Sequence, residues 1–172
     1  MSGYDYVIAG GGAAGCVLAA RLAQDPAIKV CLIEAGGQGR DLFIRMPAGN
    51  GFVFGNPKLD WGYTSVPQRG LGGRSIYYPR GKALGGSSIV NGMIYMRGVP
   101  ADYDSWQQMG LPGWSYAEVL PYFRRSEGAR TRHDPWHGTK GPLKTEPARN
   151  FGEMDRAFVQ AAINAGTRRL RI

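Results

Sequence analysis

Cysteine is nearly absent: the 172-residue chain holds two, Cys16 and Cys31. Two thiols cannot build a disulfide scaffold, so a reducing compartment is expected, with both side chains serving as small buried hydrophobes. Histidine is equally scarce. His133 and His137 fall in a Pro/Gly loop, HDPWHG, where a surface position is expected, and two histidines without further clustered ligands make no metal site. No apolar run approaches the ~20 residues that span a bilayer. No basic stretch precedes the first apolar segment, which Asp5 interrupts. Neither a membrane span nor a secretory signal is therefore expected, and the cytoplasm is the expected location. Acidic residues are outnumbered, 13 against 21 Lys and Arg, for a net charge of +8. Such a balance can attract nucleic acid. Here Arg124, Arg125, Arg130 and Arg132 gather in one place and Arg168, Arg169 and Arg171 in another, without the interleaved stacking aromatics of an RNA-binding motif. They read as solvated surface, and no nucleic-acid partner is expected. Apolar residues at 43% and charged residues at 20% exclude a wholly disordered chain. The length allows about one domain.

Glycine is the abundance, with 27 residues, roughly twice the average usage of ~7%. The glycines follow no Gly-X-Y period, which excludes collagen. They cluster in short runs, the mark of loops where backbone approaches something closely. Around the first run, Tyr4–Ala9 reads as a strand and Ala13–Gln24 as a helix closed by Asp25-Pro26. Lys29–Glu34 reads as a second, buried strand. Strand, helix and strand in so short a span form a βαβ unit, with parallel strands and a right-handed crossover. Gly10-x-Gly12-x-x-Gly15 lies where the first strand meets the helix. Gly10 allows the tight turn, Gly12 lets backbone approach a pyrophosphate, and Gly15 lets the helix pack on the sheet. The helix N-terminus adds free N–H groups and a partial positive charge. Glu34 ends the second strand 19 residues beyond Gly15. There its carboxylate can accept from both ribose hydroxyls and disfavours a 2′-phosphate. The pattern is a dinucleotide cradle in which FAD and NAD both remain open.

From Ala35 to Arg80 periodicity is lost among glycines, prolines and aromatics, which suggests a covering segment or lid. Gly81–Asp104 then reads GKALGGSSIVNGMIYMRGVPADYD. Gly85, Gly86, Ser87 and Ser88 bring bare backbone and hydroxyls together, able to wrap a planar ligand. Asn91 supplies an amide, and Gly92, Met93 and Ile94 follow without charge. The same stretch also reads as a glycine-rich turn leading into a buried helix. Further helices are expected over Asp102–Met109 and Tyr116–Ser126, the second with a Ser115/Glu118 capping box and a kink at Pro121. Pro142–Glu146 reads as a strand. Phe151–Ala165 reads as a helix capped by Asn150 and stopped by Gly166, with Met154, Phe158 and Ala161 in its apolar stripe.

The chain resembles the GMC (glucose–methanol–choline) family of FAD-dependent oxidoreductases, in particular its choline-dehydrogenase-like members. Four pieces carry the resemblance: GGGAAG with Glu34-Ala35-Gly36-Gly37, Asp60-Trp61 leading to Pro67-Gln68, Gly81–Asp104, and Trp114-Ser115-Tyr116 with Leu120-Pro121-Tyr122-Phe123. Gly81–Asp104 fits the family's first signature. Together the pieces cover nearly all of residues 4–166.

The resemblance implies an α/β fold with a Rossmann-like βαβ start, long covering loops and helices, and an FAD-binding portion over residues 1–166. It implies Gly10, Gly12, Ala14 and Gly15 around the pyrophosphate and Glu34 on the adenosine ribose. From the second motif, Ala83, Asn91, Gly92, Met93 and Ile94 would contact the flavin end, largely through backbone, and Gly86 and Ser87 would also bind the cofactor. Asn91 stands where the family uses Asn or His, and a nearby His carries covalent flavin in some members, so noncovalent FAD is implied. The implied reaction is oxidation of a small-molecule alcohol by hydride transfer to the flavin, with a His taking the hydroxyl proton.

In the family that His, the second signature and the substrate domain lie beyond the span seen here. No catalytic residue is therefore assigned, and no turnover is expected of these 172 residues alone. Only two strands of the dinucleotide sheet are expected, with an open edge. The basic residues of 167–172 depart from the family pattern and suggest a frameshift or truncation. A non-catalytic nucleotide-binding fragment is the alternative. A NAD-dependent Rossmann dehydrogenase is a weaker one, because the incomplete sheet and Gly81–Asp104 argue against it. The alcohol, the electron acceptor and the oligomeric state are left open.

Overall fold

Strand, glycine turn, helix and strand succeed one another at the start of the computed structural model, which describes residues 3–147 and 152–167. β1 (Tyr6–Ala9) pairs in parallel with β2 (Val30–Ile33), Tyr6 opposite Val30 and Ala9 opposite Ile33. α1 (Ala13–Leu22) connects them. The helix stops two residues early because Ala23 caps it and the Asp25 carboxylate turns the chain by accepting from Ala27 N–H at 2.9 Å. The parallel βαβ unit is as expected. The burial expected of its second strand is not: Ile33 is 54% exposed, as are Tyr6 and Val7 in large part. No other described strand joins this pair to cover it. Cys16 and Cys31 are half-buried and unpaired, so neither is the fully buried hydrophobe expected. Cys16 Sγ donates to the Gly11 carbonyl at 3.1 Å.

The chain divides into two compact units, residues 1–94 and 95–172. In the first, the aperiodic stretch after β2 resolves into short pieces. α2 (Leu42–Arg45) is capped by Asp41, whose carboxylate accepts from Phe43 N–H at 2.9 Å. α3 (Asn50–Val53) brings Phe52 against Phe43, ring centroids 4.9 Å apart. Val53, Leu59 and Ala83 form the buried apolar core of this unit. β3 (Tyr63–Thr64) and β4 (Tyr77–Tyr78) make a small antiparallel hairpin.

In the second unit, α4 (Pro100–Gln108) starts at a proline, with Asp102 accepting from Val99 N–H at 2.9 Å. α5 (Tyr116–Ser126) begins at the expected Ser115/Glu118 capping box and continues through Pro121. The Tyr103 ring of α4 meets Trp106, Tyr116 and Phe123 at 5.4, 5.9 and 5.5 Å. β5 (Glu127–Ala129) then pairs in parallel with β6 (Leu143–Thr145), the strand expected near residue 142. β5 has three residues, too few for a pattern to show. α6 (Glu153–Asn164) begins at Gly152, whose N–H donates to Asp155 at 2.8 Å. The Asn150 cap expected for it lies outside the described residues, as does the 168–172 tail. Its apolar stripe is not buried: Met154 is 81% and Phe158 77% exposed. Amphipathic spacing records a face and says nothing of what covers it.

Glu127 organises the second unit. It is 1% exposed, and its carboxylate takes the Arg97 guanidinium, His137 Nδ1 at 3.0 Å and the Thr145 hydroxyl at 2.9 Å. Burial pushes the carboxyl up, but the bonds from His137 and Thr145 outweigh it and hold it below its ordinary value. Facing both Glu127 oxygens, Nδ1 of His137 carries the proton, and Nε2 accepts from Arg132 at 3.2 Å. His137 is thus no surface histidine, as its loop suggested. It is 16% exposed and belongs to a buried network.

Arg97 is 11% exposed, so removing its partner strands a charge. Glu127→Ala is expected to destabilise the chain by about 3–5 kcal/mol, the cost of breaking a buried pair. Urea unfolding of the variant measures this, and a loss near zero would show that the network is dispensable.

Candidate functional site

Two glycine-rich segments of the first unit meet backbone to backbone. Gly10 leaves β1 at φ +95, the left-handed region, and its N–H donates to the Ile33 carbonyl at 2.8 Å. Gly15 packs beneath the turn: a Cβ there would lie 2.0 Å from the Gly10 oxygen. From the second motif, Gly85 N–H donates to the Gly11 carbonyl at 2.7 Å and Leu84 N–H to the Gly37 carbonyl at 2.8 Å. A Cβ on Gly86 would lie 2.7 Å from Gly12 Cα, and one on Gly36 would lie 2.1 Å from the Lys82 oxygen. Gly15, Gly36 and Gly86 are required by packing.

Gly12 is different. Its φ of −73 and ψ of −171 are ordinary extended backbone. A Cβ there would meet only Gly86 Cα, at 3.9 Å. Neither conformation nor the protein's own packing requires a glycine at this position. Its missing side chain keeps a cleft clear at the N-terminus of α1, whose first turn has no side-chain cap.

That cleft has a volume of about 520 Å³. Of the residues expected at a site, it gathers Gly10, Gly12, Glu34, Gly86 and Ser87. Glu34 is also structural. Its carboxylate accepts from Gly11 N–H at 2.6 Å and Gly36 N–H at 2.8 Å, clamping the glycine turn to the end of β2. Gly15 lies buried below the cleft and Ala14 is exposed beside it. Ala83 is fully buried in the core and is not among the residues lining the cleft. Asn91, Gly92, Met93 and Ile94 do not line the cleft. They follow a 3-10 turn over Gly86–Val90. There the Asn91 amide donates to the Ser88 carbonyl at 2.7 Å and accepts from Met93 N–H at 2.8 Å. Met93 and Ile94 are 62% and 77% exposed.

Sequence reasoning missed Trp61, Tyr63 and Arg80, which line the same cleft. They are brought there by Asp60, 3% exposed, which accepts from the amides of Gly55, Gly62 and Arg80 at 2.9, 3.0 and 2.9 Å and from the Tyr77 hydroxyl. Burial pushes its carboxyl up. The Tyr77 hydroxyl and the three amides prevail and hold it at about 2. The Asp60-Trp61 pair stood in the sequence as a family mark, but no spacing rule ties it to the first glycine turn. Both histidines line a separate hollow of the second unit, with Arg124, Arg125 and Lys140.

Residues 4–171 match the N-terminal family model described as GMC oxidoreductase. The chain belongs to the GMC oxidoreductase family. It is 44% identical over 162 residues to the oxygen-dependent choline dehydrogenase of Brucella ovis, covering 94% of this chain and 30% of that protein. Among solved structures, pyridoxine 4-oxidase from Mesorbium loti superposes with a TM-score of 0.90 at 40% identity, over 98% of this chain and 33% of that one. Formate oxidase of Aspergillus oryzae RIB40, studied for modification of its FAD, gives a TM-score of 0.83 at 31% identity, over 95% and 30%. This GMC oxidoreductase chain thus spans about 30% of the length of the curated relatives it matches. Their shared fold confirms the α/β, Rossmann-like architecture expected of it.

Because the folded Asp60 carboxyl is held below its ordinary value, the stability it contributes is fully present above the ordinary range and lost as pH falls. The wild-type chain is expected to lose stability as pH drops from about 4 through about 2. Asp60→Asn should flatten that slope in a pH series of thermal melts, and an unchanged slope would remove Asp60 from this role.

Proposed function

We propose that the cleft of the first unit holds FAD noncovalently and that this chain is the cofactor-binding part of an enzyme oxidising a small-molecule alcohol. The observation that carries the reading is Gly12, which lines the cleft although neither its backbone conformation nor the protein's packing calls for a glycine there. The other groups suit the same ligand. The uncapped first turn of α1 offers N–H donors and a partial positive charge to a pyrophosphate. Glu34 is fixed at the end of β2 by two amides and retains lone pairs for ribose hydroxyls. The Ser87 hydroxyl is exposed in the cleft and adds a donor. FAD bound there would supply the hydride-accepting chemistry, and these residues would bind and orient it.

Noncovalent attachment is supported by Asn91, whose amide is no nucleophile and is already engaged with Ser88 and Met93. The relatives named for choline and pyridoxine support an alcohol as the substrate class. His133 and His137 are not offered as proton acceptors: they line the other hollow, and both His137 nitrogens are engaged. The 172-residue chain is accordingly expected to bind FAD without turning over an alcohol.

The test is a visible spectrum of the purified chain after incubation with FAD and desalting. Retained flavin bands are expected, and colourless folded protein would overturn the reading. Gly12→Val should keep the fold by circular dichroism and lose the flavin, so wild-type flavin content in that variant would sink the assignment. Glu34→Ala should weaken FAD binding by about 1–3 kcal/mol, the scale of a hydrogen bond to a charged group. Titration calorimetry on the folded variant checks this, and an unchanged Kd would exclude the ribose role.

A further inference from the structure

The arginines of the second unit's basic run do not share one fate. Arg130 pairs with Glu146 at 2.9 Å, and Arg132 reaches His137 Nε2 at 3.2 Å. Arg124 and Arg125, exposed in the last turn of α5, have no side-chain partner among the described residues, and neither has Lys140. The negative end of a helix accounts for a cation in its last turn. It does not account for Lys140, which arrives from another segment. Two glycines bring it there. A Cβ on Gly138 would lie 1.8 Å from the Arg124 oxygen, and one on Gly141 would lie 2.3 Å from the Ser126 carbonyl carbon. The Gly138 carbonyl accepts from Ala129 N–H and the Gly141 N–H donates to the Glu127 carbonyl, both at 2.8 Å. The loop is thereby strapped to the end of α5, and Thr139 and Lys140, between the two straps, remain exposed.

These side chains line a hollow of about 530 Å³, a volume that suits a small ligand. Its lining sets three fixed cations, Arg124, Arg125 and Lys140, against one acid, Asp134. Asp134 already accepts from the Trp136 and His137 amides, and the buried Glu127 beneath is answered by Arg97. A concave surface with uncompensated charge of one sign gathers ions of the other, and guanidinium groups match the oxygens of a phosphate. We propose that this hollow binds a phosphate dianion, free or carried as a monoester on a small organic body, through Arg124, Arg125 and Lys140. The Thr139 hydroxyl adds a neutral donor. The site is separate from the cleft of the first unit and stands without the FAD reading.

The experiment is an amide-resolved NMR titration of the full chain with inorganic phosphate and with glycerol phosphate, at an ionic strength held constant with sodium chloride. Saturable shifts are expected at the Gly138, Thr139 and Lys140 amides. Arg125→Gln and Lys140→Gln, both at exposed side chains, should each weaken binding about 2- to 13-fold, the range of one hydrogen bond. Unmoved amides elsewhere show that each variant keeps its fold. Arg130→Gln removes one charge from the same basic run and should leave the affinity unchanged. Tighter binding of the ester would assign the hollow to a phosphorylated small molecule and equal binding to the free ion, and either supports the proposal. Shifts that do not saturate, shifts confined to the glycine turn of the first unit, or an equal loss in Arg130→Gln would overturn it.

Discussion

Backbone lying directly on backbone is the constraint on which the first unit depends. The glycine turn after β1, the stretch after β2 and the Gly81–Ser87 segment touch without side chains between them. At Gly15, Gly36 and Gly86 a Cβ would fall between 2.0 and 2.7 Å from another residue's backbone. Such contacts allow N–H and carbonyl groups to pair across segments far apart in sequence, as Gly85 does with Gly11. They also leave a hollow at the N-terminus of α1, where free peptide N–H groups are able to donate hydrogen bonds to a phosphate. The packing glycines close the fold, and Gly12, free of such contacts, faces the cleft.

Each unit also has one buried carboxylate that orders irregular chain. Asp60 collects the amides of Gly55, Gly62 and Arg80 and so fixes a hairpin too short to be stable by its own ladder. Glu127 does the same for β5, β6 and the loop carrying His137. In both cases hydrogen bonds to the ionised form outweigh the cost of burial, so each acid is charged where it sits. Asp60 links stability to the site: the bonds that hold its charge also position Trp61 and Arg80 at the cleft.

The exposed apolar side chains of the β1–β2 pair and of α6 belong to a chain that spans about 30% of its curated relatives. Their patterns were readable, but burial was not, since burial is a relation between two elements. The histidines show the same from the opposite side. His133 and His137 share a loop of one composition, yet only His137 is drawn under cover, because Glu127 lies within 3.0 Å of its Nδ1.

The sequence by itself determined the parallel βαβ unit, the glycine turn, Glu34 and the Ser115/Glu118 cap. Each depends on contacts within a few residues or on the fixed geometry of one crossover, where spacing and residue type suffice. It also identified the second glycine motif, though not its seat against the first. Only the tertiary structure decided that Ala83 is core, that Asn91–Ile94 stand outside the cleft, and that Trp61, Tyr63 and Arg80 line it. Those placements follow from where Asp60 gathers its amides and where glycine backbone permits close approach, and no local periodicity encodes a contact between segments so far apart along the chain.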